Sequence, residues 1–461
     1  MGAPPPAPAA APAAPRIQKM LPRTALALLA TAACAQAFGM VTASGGAFFE
    51  GGKPLRVAGN NALGLAQFSD PFATADLLAR MARANLTLLR LWAFSDGAAC
   101  APAPRQNFFQ CWDAQLRRVV ANESALALHL DATLAAASRA GVHVIMSLSN
   151  NWGAYGGVPA YVQWREAAAA AGVAPPTTGA VHHDDFFVDP FMRGWYRDWA
   201  AALAGRVNTV TGIAYRDDPT IFAWELANEI ACTNSSAAAP CVSSNGTSPP
   251  MRAWVAEMSA HIKSIDGNHM VSIGDEGFYG ADDTGSAPCP QKGSGQRQWW
   301  CNGSAGDWLG LLKLPHVDFA SVHMYPDSFN MREWGLGDED AVARGWIFNH
   351  TREAHAAGKP VLLGEVGHGS AGLAQHEKYA NYTRAAEEAG TDGWAVWMLA
   401  GLDDTDFARP SWPNWWRGGD AQLQVYCCAQ PGDPAPPSDG GVHDPATCAV
   451  LAAAASRLLC I

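Results

Sequence analysis

A chain of 461 residues with 49% hydrophobic content has ample material for a large core. Its net charge of −11 argues against nucleic acid or an anionic membrane surface as partner and is compatible with an uncharged one. Beyond the N-terminal segment no stretch is apolar for long enough to span a bilayer, so no membrane partner is expected.

Residues 1–38 read as a low-complexity extension and secretory signal peptide. Met1 to Pro15 is an Ala/Pro segment that cannot build a core. Arg16, Lys19 and Arg23 form a basic region, Thr24 to Cys34 an apolar one, and Ala35-Gln36-Ala37 a small-residue cleavage site. Met20 would be a cleaner start for such a leader. This predicts a secreted protein, extracellular or in a cell wall, with residues 39–461 as a single domain.

Cysteine usage agrees with export. Of the 11 cysteines, Cys34 leaves with the leader. Local clustering predicts the loop-stapling pairs Cys100–Cys111, Cys232–Cys241 and Cys289–Cys301, with two further bridges among Cys427, Cys428, Cys448 and Cys460. No Cys-x2-Cys or His-x3-His spacing suggests zinc. Sequons at Asn85, Asn122, Asn234, Asn245, Asn302, Asn349 and Asn381 fit a secreted glycoprotein.

After a hairpin-like Phe48–Pro54, short apolar runs alternate with helical patterns. The strand candidates are Arg56–Asn60, Leu86–Leu91, Val142–Leu148, Ile221–Glu225, Met270–Ile273, Phe319–His323, Val361–Glu365 and Gly393–Trp397. Helices are expected over Phe72–Ala84, Glu123–Ala140, Phe191–Ala204, Arg252–Ser264, Asp340–Ala357 and Gln375–Ala389, with only a weak one between the fifth and sixth strands. This alternation means a parallel sheet, and eight such units an α/β fold closed as a (β/α)8 TIM barrel with disulfide-stapled loops.

In such a barrel the chemistry lies at the C-terminal strand ends. Those ends carry Asn60-Asn61, then Arg90-Leu91-Trp92, then Asn150-Asn151-Trp152-Gly153, Asp275-Glu276, His323 with Tyr325, and Trp397. Packing puts no demand on amides and imidazoles there, so a carbohydrate site is favoured over a non-catalytic barrel. Two strands of one design stand out. In Asp217-Asp218-Pro219-Thr220-Ile221-Phe222-Ala223-Trp224-Glu225-Leu226-Ala227-Asn228-Glu229 a turn signal opens an apolar strand that ends on Asn228 and Glu229. In Lys359-Pro360-Val361-Leu362-Leu363-Gly364-Glu365-Val366-Gly367 a second such strand ends on Glu365. Paired acids suit glycoside hydrolysis: one protonates the leaving oxygen, while the other attacks the anomeric carbon or activates water.

The Trp-Glu-Leu-x-Asn-Glu run, the Gly-Glu-x-Gly strand and His323-Met324-Tyr325-Pro326-Asp327 resemble glycoside hydrolase family 5 of clan A, and most of all its plant-type endo-β-1,4-mannanases. The likeness extends over roughly residues 43–400. It implies a retaining endo-β-1,4-mannanase acting on mannan, glucomannan or galactomannan, with Glu229 as acid/base and Glu365 as nucleophile. Asn228 would bind the substrate 2-hydroxyl, Arg90 would hold the nucleophile ionised, and Tyr325 would contact Glu365. His323 would join that network, and Trp397 would floor the −1 sugar. Trp92, Asn151 and Trp152 lie in mannanase-like stretches and are taken as substrate-binding. The mechanism calls for carboxyls about 5–5.5 Å apart and a raised pKa at Glu229.

The chain departs from the family where Ile230 and Ala231 stand in place of Pro-Arg, which puts leaving-group affinity in doubt. Glu225 reads as a buried structural acid satisfied by a base such as Arg90. His182-His183-Asp184-Asp185 reads as a loop, Asp403, Asp404 and Asp406 as a solvated turn, and Trp412, Trp415 and Trp416 as packing of the tail. No metal or cofactor is called for, and a monomer is expected. A β-1,4-glucanase, an exo-mannosidase and a non-catalytic carbohydrate-binding protein stay open as alternatives.

Overall fold

The computed structural model describes residues 38–459, apart from 63–64, 69–70, 101–106, 178, 234, 236–240, 243–246, 280–306, 330, 335–336, 370–372 and 399–444. Eight parallel strands form its centre. These are β1 (Val57–Asn61), β2 (Leu88–Trp92), β3 (His143–Ser147), β4 (Ile221–Glu225), β5 (Met270–Ser272), β6 (Ala320–Met324), β7 (Val361–Val366) and β8 (Gly393–Val396). They pair in the order β5-β4-β3-β2-β1-β8-β7-β6. At the seam between β5 and β6, the Asp318 N–H donates to the Val271 carbonyl at 2.8 Å and the Asp318 carboxylate accepts from the Val271 N–H at 2.7 Å. Every expected strand is present, with only small shifts at its ends.

Side chains along a strand alternate between faces, and this period separates core from site. The inward positions at the N-terminal end are apolar: Val57, Leu88, Ile145, Ala223, Met270 and Leu362 share one buried cluster with Phe319. An antiparallel ribbon, Val41–Ser44, Ala47–Glu50 and Lys53–Leu55, covers this end. Its Phe48 ring packs edge-on against Phe222 at 5.0 Å and Phe319 at 5.3 Å between centroids. Two residues further along the same strands stand Arg90, Ser147, Glu225, Ser272 and Gly364. The floor is thus hydrocarbon and the layer above it is polar.

The outer faces of the strands bury Leu77, Leu134, Trp254, Trp346 and Tyr379 from the surrounding helices. The helices Pro71–Arg83, Pro190–Ala204, Pro249–Ile265, Glu339–Ala356 and Leu373–Ala389 correspond to the expected ones. The weak helix between β5 and β6 is the short Trp308–Leu312. The stretch expected as one helix over Glu123–Ala140 is interrupted by a π-helical segment, Leu126–Asp131. Among the described residues, two long helices were not expected from the sequence, Gly157–Ala170 and Pro445–Leu459, nor was the short Leu65–Phe68. Pro445–Leu459 packs beside Leu373–Ala389 and reaches β1, and so takes the place of the eighth helix of the ring.

The disulfides Cys100–Cys111 and Cys232–Cys241 are both present, and Cys448 is also disulfide-bonded. Cys289–Cys301 and the tryptophans and aspartates of 403–416 fall outside the described residues. Among the described residues no helix is long and apolar enough to cross a membrane.

Candidate active site

Glu365 lies within β7, 2% exposed at the polar layer. Glu229 lies four residues past the end of β4, where the chain is held from both sides. The Asn228 N–H donates to Ser149 O at 2.8 Å and the Glu229 N–H to Gly274 O at 2.7 Å. Glu229 takes a left-handed backbone conformation, φ 53°, which is unfavourable for a residue with a Cβ and persists only where its surroundings fix it.

Arg90 organises the floor of the site. Its guanidinium is fully buried and donates to Glu225 at 2.6 Å, to Glu365 Oε1 at 2.5 Å, to Asn228 Oδ1 at 2.8 Å and to Asn61 Oδ1 at 3.1 Å. One planar fork thus orients both acids of its layer and the amide beside Glu229. The expected Arg90–Glu225 pairing is present. Asn61, noted in the sequence only as a polar strand end, also donates to Gly364 O and Val396 O, and so ties β1 to β7 and β8 beside the reactive carboxyl.

The other oxygen of Glu365 accepts from the Tyr325 hydroxyl at 2.5 Å. His323 Nδ1 lies 2.9 Å from Glu229 Oε1 and 3.5 Å from Glu365 Oε2. The Trp152 indole N–H donates to Glu229 Oε2 at 2.5 Å. One donor atom each from Glu229, His323 and Glu365 falls within 4.8 Å of the others, so the two carboxyls face one another across the imidazole. This spacing could also embrace a cation, but the His323 nitrogen and both Glu229 oxygens are engaged in hydrogen bonds within the site.

Other sequence candidates take supporting places. Asn228 donates to Asn150 Oδ1 at 3.0 Å. Asn151 is 2% exposed, and its Oδ1 accepts from the Ala231 N–H at 3.2 Å, which braces the chain just past Glu229. Trp92 is 4% exposed and packs against Phe94, Tyr155 and Trp397 rather than standing open at the surface. Trp397 belongs to the same aromatic cluster as Tyr325. Trp152 is the exposed one at 37%. Ile230 and Ala231 are both buried, so neither presents a charge to the cleft. The His182–Asp185 segment lies in a tight helical turn in which Asp184 accepts from Thr233, a loop brace as expected.

Electrostatics refine one expectation. Four buried carboxyls, Glu225, Glu365, Asp275 and Glu276, and the partly exposed Glu229 surround two basic groups, Arg90 and His323. They cannot all ionise freely. Burial pushes Glu276 well up, reinforced by the charges of Glu229 and Glu365, and burial lifts Asp275 to about 7. Burial also raises Glu365, against the pull of His323, Arg90 and the Tyr325 hydroxyl. Burial would depress His323, but Glu365 and the bonded Glu229 raise it instead. Glu229 moves down, not up as expected from the sequence. Burial favours its neutral form, yet the His323 hydrogen bond and charge, the Trp152 N–H and Arg90 together outweigh it. The Glu229–His323 hydrogen bond thus favours the charged form of both partners, drawing the carboxyl down and the imidazole up.

A parallel barrel with two facing acids at the ends of its fourth and seventh strands defines a glycoside hydrolase. Similarity to known proteins narrows this class. A model of the GH family 5 β-mannosidase-like family matches residues 39–287. Mannan endo-1,4-β-mannosidase 1 of Oryza sativa subsp. japonica is 34% identical over 338 residues, 71% of this chain and 68% of the relative. Mannan endo-1,4-β-mannosidase 3 of the same plant is 35% identical over 381 residues, 77% and 72% of the two chains. Among solved structures, the endo-1,4-β-mannanase of Rhizomucor miehei superimposes with a TM-score of 0.64 at 31% identity, over 78% of this chain and 91% of that one. The endo-β-1,4-mannanase of Thermotoga petrophila gives 0.65 at 28% identity, over 88% and 78%. The chain belongs to glycoside hydrolase family 5, in its β-mannosidase-like group.

Proposed function

We propose that this protein is a retaining endo-β-1,4-mannanase, with Glu365 as nucleophile and Glu229 as acid/base. The observation that carries the reading is the pair of facing carboxyls, one oxygen of each within 4.8 Å. This falls with the roughly 5–5.5 Å separation of retaining enzymes rather than the roughly 6.5–9.5 Å that leaves room for a water in inverting ones. Arg90 and Tyr325 each donate to one Glu365 oxygen, which aims the carboxylate and favours its charged form.

In the first step Glu365 attacks C1 of a β-mannosyl unit while the leaving oxygen takes a proton from Glu229. His323 Nδ1 lies one hydrogen bond from Glu229, and as Glu365 loses its charge to the new bond, its upward pull on the imidazole weakens. In the second step Glu229 accepts a proton from water, which releases the sugar from Glu365. Asn228, fixed by Arg90 and Asn150, presents its amide to the sugar 2-hydroxyl. Ile230 and Ala231, buried and uncharged, give the leaving-group side no charged contact at these two positions. The mannan substrate is supported by the names of the rice relatives and fungal and bacterial neighbours. The same reading makes the protein secreted and monomeric, with residues 1–38 as a removed extension and leader and 39–461 as the catalytic domain.

The test is incubation with linear β-1,4-mannan beside cellulose, following oligosaccharide size and the anomer first released. Mannobiose to mannotetraose, released first as the β-anomer by wild type and not by Glu365→Ala, is expected. Release of mannose alone would replace endo with exo action, cellulose cleavage would replace the substrate, and first release of the α-anomer would overturn the retaining mechanism.

A further inference from the structure

The loop that carries Trp152 passes through three consecutive left-handed residues, Tyr155 (φ 58°), Gly156 (φ 103°) and Gly157 (φ 55°). Gly157 then opens the helix Gly157–Ala170, whose N-cap, Gly156, has no side chain to bind the free N–H groups. An uncapped helix start and a run of strained residues require support from elsewhere. Asp96 supplies it from a distant part of the chain. Its N–H donates to Tyr155 O at 2.7 Å, and its Oδ2 accepts from the Gly157 N–H at 3.1 Å. A Cβ at Gly156 would lie 2.2 Å from Asp96 O and 2.5 Å from its Cβ, so the two segments touch backbone to backbone.

Asp96 is itself anchored. Gln110 Nε2 donates to its Oδ1 at 2.8 Å and to the Tyr161 hydroxyl at 3.2 Å. Asp96 and Gln110 are partners in a small sheet, Asp96–Gly97 with Gln110–Asp113, stapled by Cys100–Cys111. The groups facing the Asp96 carboxyl are thus Gln110 from the sheet, and the Gly157 N–H and Tyr161 from the helix. No Lys, Arg or His among the described residues bonds to it.

We propose that Asp96 is a positioning residue: it caps the helix Gly157–Ala170, clamps the Tyr155–Gly157 turn, and so sets the Trp152 indole on Glu229. The inference rests on Glu229 being the acid/base. Asp96 touches no substrate and acts only through the loop. Burial pushes its carboxyl up to about 8, against the donors Gln110 and Gly157. Below that pH the neutral acid fits its dry setting. Above it a buried charge without a cation draws water to the clamp and loosens the loop, so the device also limits activity on the alkaline side.

The experiment measures kcat and KM on linear β-1,4-mannan from pH 5 to 9 for wild type, Asp96→Asn, Asp96→Ala, Trp152→Phe and the Asp96→Ala/Trp152→Phe double variant. Asp96→Ala is expected to lose about tenfold in kcat/KM, mostly in kcat, and to add nothing in the Trp152→Phe background. Asp96→Asn, which keeps the shape and one acceptor, is expected to fold and to lose the alkaline inflection near pH 8. An unshifted alkaline limb in Asp96→Asn, or effects of Asp96 and Trp152 that add, overturns the proposal; if Asp96→Ala fails to fold, the Asp96→Asn profile decides. Glu229→Ala runs alongside: full activity there would overturn the acid/base assignment itself, whereas an inactive Glu229→Ala beside unperturbed Asp96 variants would overturn only the role of Asp96.

Discussion

Replacing Arg90 by Met keeps most of the side-chain volume and removes the one charge that holds the floor of the site together. The guanidinium is completely buried, with 2.6 Å to Glu225 and 2.5 Å to Glu365. Its removal leaves two carboxylates and the oxygens of Asn61 and Asn228 without their donor in a layer closed to water. Breaking a buried pair from one side costs about 3–5 kcal/mol, and for a chain of this size that lowers Tm by about 3–6 °C. The sign with pH follows from Glu365. Burial already raises its pKa, and Arg90 is one of the groups that restrain it. Without the guanidinium the carboxyl takes up a proton at a higher pH, so the penalty is largest where it would be charged and is relieved as pH falls. Urea unfolding of both proteins at pH 7 and pH 5 should therefore give a smaller difference at pH 5, with kcat/KM lower by about 100-fold or more at either pH. Equal destabilisation at the two pH values, or a loss below about 1 kcal/mol at pH 7, would refute the view of Arg90 as the counter-charge of this layer.

Other outcomes follow from the same geometry. Tyr325→Phe removes the donor to Glu365 Oε2, worth about 1.5–3 kcal/mol for a charged acceptor; kcat/KM should fall about 10- to 100-fold and the acid limb of its pH profile should move to higher pH. Asp131 accepts from Arg206, Thr209 and Tyr215, none of which bonds to Glu229 or Glu365. Asp131→Ala should cost about 3–5 kcal/mol in unfolding experiments at pH 7 while leaving kcat unchanged. The Asp131 pKa is lowered by Arg206, Tyr215 and Thr209 in spite of burial. Its stabilisation is therefore present above the ordinary carboxylate range and lost as pH falls through its folded value, so the two proteins should converge in acid. At Gly274 (φ +87°) a Cβ would lie 2.3 Å from Ala227 O and 2.6 Å from the Glu225 carboxyl group. Gly274→Ala should abolish activity and reduce soluble yield, and a fully active variant would contradict the packing.

The barrel was legible because each strand carries its own signal, an apolar run bounded by turn residues. Its acids were legible because Glu229 and Glu365 close such runs. The helix Gly157–Ala170 was not, since its start lacks a capping side chain; the carboxyl that caps it is Asp96, brought there only by folding. The helix Pro445–Leu459 lies after a long Gly/Pro-rich stretch, 399–444, that breaks the strand–helix rhythm. The direction of the Glu229 pKa also escaped local reading. A carboxyl next to another suggests an upward shift, and only the fold shows His323 seated between the two. Asp96 itself sits among small and apolar residues, Ala93, Phe94, Gly97 and Ala98, and nothing in its sequence neighbours announces a contact with residue 157.

The helix Pro445–Leu459 has a consequence for the order in which the molecule can be made. It joins the last part of the chain to the first: Asn85 donates to Ser456 Oγ at 2.8 Å, and Arg457 pairs with Glu387 at 2.9 Å. Leu451, Ala454 and Leu458 are buried in the outer core. A chain emerging vectorially at about 5–20 residues per second can pair β1 with β2 early. β8 is nonetheless threaded between β1 and β7 only late, and the ring of helices waits on Pro445–Leu459. Until then the nascent protein exposes one open flank of its hydrocarbon layer. A stop codon before residue 445 would preserve every group around Glu229 and Glu365 and still deliver a chain with that flank uncovered, prone to capture by chaperones and to proteolysis.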